Sequence, residues 1–194
     1  SSDSDTIFVS AGTYYENINF NGKNISVIGE DRETTIIDGN QDGVVVIINN
    51  GIIENFTIMN GVAYIADGYF DILMDKLETA GGIYVEGSPE LKNLNIKGNY
   101  STNSNYGSGI TIDGSPTLTK ILLSPDNSLL ANNSSNLTIY QSTILGDVFL
   151  ACCITYNINS SIISRFYTYE FDTTNRNVSF SNLYYHNLNC SGNP

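Results

Sequence analysis

The chain has 194 residues, 20 acidic against 8 basic, giving a formal charge of -12 and a pI near 4.1. That acidity argues against nucleic acid and anionic membrane as partners, and with no run of 18 apolar residues nothing is expected to span a membrane. The length suits one domain or one elongated repeat body, and with only 14% of residues charged against 26 Asn the polar surface is mostly amide and hydroxyl, suited to hydrogen-bonded turns and to neutral or cationic partners such as sugars and metal ions.

The opening SSDSDT carries no basic and apolar leader, so an exported chain would have lost its signal already. Residues 6 to 29 alternate apolar and polar positions around Gly12 and Gly22, which predicts three short strands at Ile7 to Val9, Ile18 to Phe20 and Ile25 to Ile28. A second unit follows, with Ile36 and Ile37, the corner DGNQDG, the run Val44 to Ile48, an Asn49-Asn50-Gly51 turn and Ile52 to Met59. Residues 62 to 81 interrupt this cadence; Asp71 there could cap a short helix that places Ile72, Met74 or Leu73, and Leu77 on one side.

Residues 82 to 96, GIYVEGSPELKNLNI, then recur as residues 109 to 123, GITIDGSPTLTKILL, at an offset of 27 without a gap. Each copy is an alternating strand, a Gly-Ser-Pro corner and a second strand, and neither copy can bury its apolar side alone. Between them lies a second insertion, residues 97 to 108, polar but for Tyr100 and Tyr106. The same cadence returns at Leu137 to Leu145, Ile154 to Ile163 and Val178 to Tyr185. Apolar positions at Phe56, Leu94, Ile121, Ile144, Ile162 and Leu183 fall 38, 27, 23, 18 and 21 residues apart, and all but the first spacing are lengths of one coil.

Continuously apolar runs such as Val44 to Ile48 point to burial on stacked parallel layers rather than to hairpins. The near absence of helical stretches leaves no crossover for an α/β sheet. The expected architecture is all-β: a right-handed parallel β-helix, a single-stranded solenoid of about seven coils, forming one domain over residues 1-194 with insertions at about 62-81 and 97-108.

TIFVSAGTYYENINFNGKNISVIGE followed by TTIIDGN resembles the opening coils of right-handed β-helix proteins of the pectin-lyase-like superfamily, and GGIYVEGSPELKNLNI resembles the repeat of their bacterial cell-surface members. The likeness runs to about residue 125 and continues as cadence beyond it. It implies polysaccharide lyase, hydrolase or esterase chemistry, so the residues such chemistry needs can be sought. Gly12-Thr13-Tyr14-Tyr15-Glu16 approximates the Gly-x-Tyr-x-Glu segment of the esterases, but the chain has no Trp for their Arg-Trp element, and Gly146-Asp147-Val148-Phe149 is a faint echo of their aspartate motif. The arginines, Arg32, Arg165 and Arg176, sit in no recognisable strand motif with carboxylates. Glu86 and Asp113 align between the two repeat copies and are the candidate carboxylate pair; exposed acids before a Gly-Ser-Pro corner also read as turn formers.

Asp38, Asn40 and Asp42 match the first half of a calcium loop, although the twelfth position is Asn49 rather than Glu; calcium is the one cofactor candidate, and the same residues make a routine β-helix corner. Tyr100 and Tyr106 are candidate ligand or partner contacts. Sequons at Asn24, Asn55, Asn99, Asn132, Asn133, Asn136, Asn159, Asn177 and Asn189 permit glycosylation. Cys152, Cys153 and Cys190 are odd in number, which leaves at least one thiol free or paired between chains, and the pairing stays open. His186 has no neighbouring nucleophile motif.

The expectation is a secreted or surface-displayed module that works without catalysis, structural or adhesive, assembling with other copies through uncapped β-helix ends or binding surface glycans. The alternative is a carbohydrate-active enzyme or glycan-binding module.

Overall fold

The structure, a computed structural model, describes residues 2–63, 80–101, 108–131, 136–150, 155–168, 176–183 and 186–187, and from residue 166 onward the backbone alone. Every strand pair in it is parallel, and the strands form three ladders that run the length of the body. The first joins Thr6–Val9, Ser26–Gly29, Ile52–Glu54, Glu90–Lys92, Thr117–Thr119, Asn136–Tyr140 and the start of Thr155–Thr168, ending on Arg176–Leu183. The second runs through Gly12–Tyr15, Thr35–Asp38, Thr57–Met59, Asn95–Lys97 and Leu122–Leu123 to Thr143–Leu150. The third runs through Ile18–Asn19, Val46–Ile48, Ile83–Gly87, Ile110–Gly114 and Leu129–Ala131, then takes the later half of Thr143–Leu150. The chain visits the three walls in order and returns one layer on, which is a parallel β-helix; the walls with described side chains make about six turns, and one further rung continues in backbone.

The register explains why these residues form these walls. In the first wall Val27, Ile53, Leu91, Leu118, Ile139 and Ile158 stack in one column, and in the second Ile37, Ile58, Ile96, Leu123, Ile144 and Ile163 do the same. All are buried and belong to one continuous core. Aliphatic residues repeated at one position let each layer pack on its like, and each fully buried side chain of this size contributes about 1.5–3 kcal/mol. The two repeat copies lie on adjacent layers in the register that the 27-residue offset requires, with Ile83 on Ile110, Val85 on Ile112 and Gly87 on Gly114.

Walls one and two meet at a tight corner, and this divides the expected Ile52 to Met59 strand in two. Asn55 stands in the left-handed region at φ 65, followed in later layers by Asn93 (46), Lys120 (55), Gln141 (50) and Ser160 (50). Asn tolerates that conformation better than most residues. Its amides also form a column: Asn93 Nδ2 donates to Asn55 Oδ1 at 2.8 Å, and Asn55 Nδ2 donates to the Gly29 carbonyl at 3.1 Å. The residue after this corner is Phe56, Leu94 and Ile121 in successive layers, then Ser142 and Ser161, so Ile144 and Ile162 do not continue that column as the sequence spacing suggested. Buried hydroxyls replace the hydrophobes there: Ile121 N–H donates to Ser142 Oγ at 3.1 Å and Ser142 N–H to Ser161 Oγ at 3.2 Å.

Glycine is required where layers meet backbone to backbone. A Cβ on Gly87, whose φ is +64, would stand 2.4 Å from the Asn49 carbonyl oxygen of the layer before; on Gly146 it would stand 1.5 Å from the Asn127 carbonyl oxygen. Both insertions begin as a small side ladder, Val62–Ala63 pairing in parallel with Tyr100–Ser101. The remainder of each, including the expected helix after Asp71, lies outside the described residues.

Candidate functional site

The candidate carboxylate pair is real in register: Glu86 and Asp113 are direct partners on neighbouring strands at the end of the third wall. Asn49, one layer before, donates its Nδ2 to Glu86 Oε2, so the exposed Glu86 carboxylate is tied to its own corner. Asp113 also has a partner. The arrangement is a column of corner residues, with Asn49 preceding the Asn50-Gly51 turn and Glu86 and Asp113 preceding the two Gly-Ser-Pro turns.

The DGNQDG segment is likewise a corner. Asp38 Oδ1 accepts the Asn40 N–H at 2.9 Å and Asp38 Oδ2 accepts Asn60 Nδ2 at 2.8 Å, while Asn40 and Gln41 take φ of 50 and 60 to turn the chain. The Asp42 carbonyl accepts Asn17 Nδ2 at 2.6 Å. Both Asp38 oxygens thus accept hydrogen bonds at this corner, one within the turn and one from the next layer.

Asp147 and Arg165 are brought together where sequence reasoning found no such pair. They are register partners on neighbouring strands, immediately past a bulge between Ile144 and Asp147, and Arg165 Nε approaches Asp147 Oδ1 to 2.5 Å. The Asp147 side chain is only 14% exposed, against 49% for Arg165. The contact is a charge pair without hydrogen-bond alignment, since Asp147 Oδ1 remains a buried acceptor lacking a hydrogen bond. Burial pushes the Asp147 carboxyl up from its ordinary pKa, and the nearby Arg165 cation offsets this only in part. The pair borders a small cleft lined also by Pro125, Asp126, Asn127 and Ser128. Asp126 there is a turn former: its two oxygens accept from Ser124 Oγ and from the Gly98 N–H, the latter at 2.9 Å.

The sign of the shift sets a pH dependence. A carboxyl whose folded pKa is raised binds its proton more readily in the folded chain, so its contribution is most favourable in acid and is lost as pH rises from the ordinary carboxylate range through the elevated folded value. Asp147→Asn is therefore expected to melt no lower than the parent at neutral pH, and any advantage should disappear on acidification below the usual Asp range. Paired thermal scans at the two pH values check this; a variant markedly less stable at neutral pH would show that the Arg165 attraction outweighs desolvation.

The other predicted residues are scattered. Tyr100 is 61% exposed at the start of the side ladder, whereas Tyr84 is 1% exposed. Among the sequons, Asn99 is buried, and its amide and that of Asn55 are engaged in hydrogen bonds within the body. Asn24 and Asn136 are exposed, and Asn159 Nδ2 donates to Asn157 Oδ1 at 2.7 Å. Asn177 and His186 are placed by backbone alone, within Arg176–Leu183 and His186–Asn187. Tyr106, Asn132, Asn133, Asn189 and all three cysteines, Cys152, Cys153 and Cys190, lie outside the described residues.

One signal could have found the Asp147–Arg165 pair. The local coil is 19 residues, as from Ile139 to Ile158, and Asp147 to Arg165 is 18, one short because the bulge takes up a residue. No model of a protein family matches this sequence, and no curated protein does. Among solved structures the chain is similar to the pectin methylesterase from Yersinia enterocolitica, at 11% identity and a TM-score of 0.50 over 90% of this chain and 68% of that one. At that identity the likeness concerns the path of the backbone. The chain is a parallel β-helix of the pectin-lyase-like fold.

Proposed function

We propose that this chain works by its surface, as a rigid non-catalytic module of the cell exterior. The observation that supports this most is that the carboxylates in candidate positions are already committed to the fold. Glu86 is held by Asn49, one oxygen each of Asp38 and Asp126 accepts within a turn and the other from a neighbouring layer, and Asp147 faces Arg165. A general acid and base need carboxyls free to exchange protons with a substrate. The acidic, amide-rich exterior favours contact with glycans over nucleic acid or anionic membrane. Contact between copies through the first layer, where Ile7 is 38% and Phe8 79% exposed, is the mode of assembly this reading includes.

A carbohydrate-active reading is favoured by one specific feature, the half-buried Asp147 with its elevated pKa beside Arg165 at a cleft; a carboxyl perturbed by burial and a charged partner is a candidate for chemistry. The similar Yersinia enterocolitica structure is that of a pectin methylesterase. One experiment separates the two readings. Purified protein incubated with a panel of neutral, acidic and methyl-esterified polysaccharides is expected to release neither reducing ends, unsaturated products nor methanol. Product formation lost in Asp147→Asn would move the function to the cleft, and loss in Glu86→Gln or Asp113→Asn would move it to the corner column. Gel filtration at increasing protein concentration tests assembly, with a concentration-independent monomer counting against it.

A further inference from the structure

An open groove runs beside the corner of walls one and two, lined by Arg32, Asn93, Lys120, Gln141 and Thr143 above the partly buried Leu122. Two of the chain's 8 basic residues meet there, on a protein of net charge -12. We infer that this groove is a binding site for an oxyanion, the carboxylate or sulfate of a sugar acid or sulfated sugar, and that Lys120 is its central ligand-binding residue.

The column of Asn amides at this corner ends after Asn93. Gly29, Asn55 and Asn93 are linked by side-chain amides, so another Asn at the next layer could donate to Asn93 in the same way. The residue there is Lys120, in the left-handed region at φ 55, a conformation that suits Asn far better than Lys. A strained backbone over-determined by its surroundings is a pointer to function when the side chain it presents has chemistry to offer. Here that side chain is a cation in a groove to which the next layer adds the Gln141 amide.

Arg32 reaches the same groove from a longer turn. Where the third and fourth layers cross this corner by Asn55-Phe56 and Asn93-Leu94, the second layer inserts residues 30 to 34, fixed by the Asp31 carbonyl accepting from Thr34 and Thr35 N–H at 3.2 and 2.8 Å. The Arg32 carbonyl accepts Thr57 Oγ1 at 2.8 Å, which anchors the turn to the wall. Its Nε meets Glu33 Oε1 at 3.0 Å. The Glu33 side chain is 62% exposed, and such surface pairs are weak and readily exchanged.

The polar side chains lining the groove are an ammonium and a guanidinium, which only donate, and two amides and a hydroxyl, which donate or accept, a set whose charge matches an oxyanion. The protein's overall negative charge opposes an anion only over the screening distance, about 8 Å at physiological salt. The groove lies along the rod axis and crosses several layers, which fits a charged group carried on an extended chain. It sits on the corner of walls one and two, whereas the Asp147 cleft borders wall three, so oxyanion binding here does not depend on whether the protein is an enzyme.

The test is calorimetric titration of the whole chain with three oxyanion probes, a sulfated oligosaccharide, a uronate oligosaccharide and inorganic sulfate, and with a neutral oligosaccharide of equal length. At least one oxyanion probe is expected to bind, more weakly when NaCl is raised from about 50 to about 300 mM, and Lys120→Asn combined with Arg32→Gln should weaken it roughly tenfold or more. Lys120→Asn should melt no lower than the parent, because Asn suits the corner and extends the amide column; this separates lost binding from lost folding. Binding of the sulfated probe alone assigns a sulfate site, and binding of the uronate alone a carboxylate site. Equal binding of the neutral oligosaccharide, unchanged binding by the double variant, or no binding of any probe overturns the inference.

Discussion

Leu91→Ala is expected to lower the unfolding free energy by about 3 kcal/mol, within the range for a fully buried leucine truncated to alanine. Leu91 is 0% exposed and stacks between Ile53 of the layer before and Leu118 of the layer after, so its removal opens a cavity that neither neighbour can fill without leaving its own column. The cavity term is added to the lost transfer free energy because a column of like residues in fixed register relaxes little. Denaturant unfolding followed by far-UV circular dichroism should show a lower midpoint. Hydrogen exchange should show the protection lost first in the layers holding Ile53 and Leu118, since a solenoid contacts only its neighbouring repeats. Tyr15→Ala, at 72% exposure, should by contrast stay within about 0.5 kcal/mol of the parent. A Leu91→Ala protein within about 1 kcal/mol of the parent would mean that the column is not the packed element described.

The fold was readable because it is written as repetition. The register of Ile83 on Ile110 and Gly87 on Gly114 is the 27-residue offset of two similar strings, and stacking is the only way such strings bury their apolar faces. What could not be read was where a column changes chemistry. The switch from Ile121 to Ser142 and Ser161 leaves the backbone path unaltered and replaces packing by hydroxyl-to-amide bonds, so a search for apolar recurrence slides onto Ile144 and Ile162 instead. The Asp147–Arg165 pair was hidden for a related reason: the bulge after Ile144 shortens the offset by one, and a pairing between layers has no local motif. Glu86 and Asp113 were legible as neighbours, yet the tie of Glu86 to Asn49 depends on a third layer 37 residues away from Glu86. Position follows from periodicity; what each polar atom is paired with depends on contacts between layers that periodicity does not encode.

The second large effect is expected at Asn99, whose side chain shows how the amides hold this body together. Its Oδ1 accepts the Gly61 N–H at 2.9 Å, and its Nδ2 donates to Asn127 Oδ1 at 2.9 Å and to the Ile58 carbonyl at 3.3 Å. Asn127 returns the bond through its own Nδ2 to the Asn99 carbonyl at 3.0 Å. Asn99 is 3% and Asn127 2% exposed, so three layers are tied by one buried amide pair. Asn99→Ala would strand the Gly61 N–H, the Asn127 Oδ1 and part of the Ile58 carbonyl's capacity away from water, at about 1–3 kcal/mol for each unsatisfied group, and a loss of about 3 kcal/mol or more is expected. Asn99→Asp separates hydrogen bonding from volume. Its carboxylate could still accept from Gly61, but it would face two acceptors, the Ile58 carbonyl and Asn127 Oδ1, and would therefore favour the protonated form. With its folded pKa raised, the variant should be closest to the parent in acid and should lose stability as pH climbs through the carboxylate range and above, the slope following from the extra proton bound by the folded chain. Thermal scans of the two variants across that range distinguish the cases. An Asn99→Ala protein melting with the parent, or an Asn99→Asp protein whose deficit does not change with pH, would show that these amides decorate the layers rather than bind them.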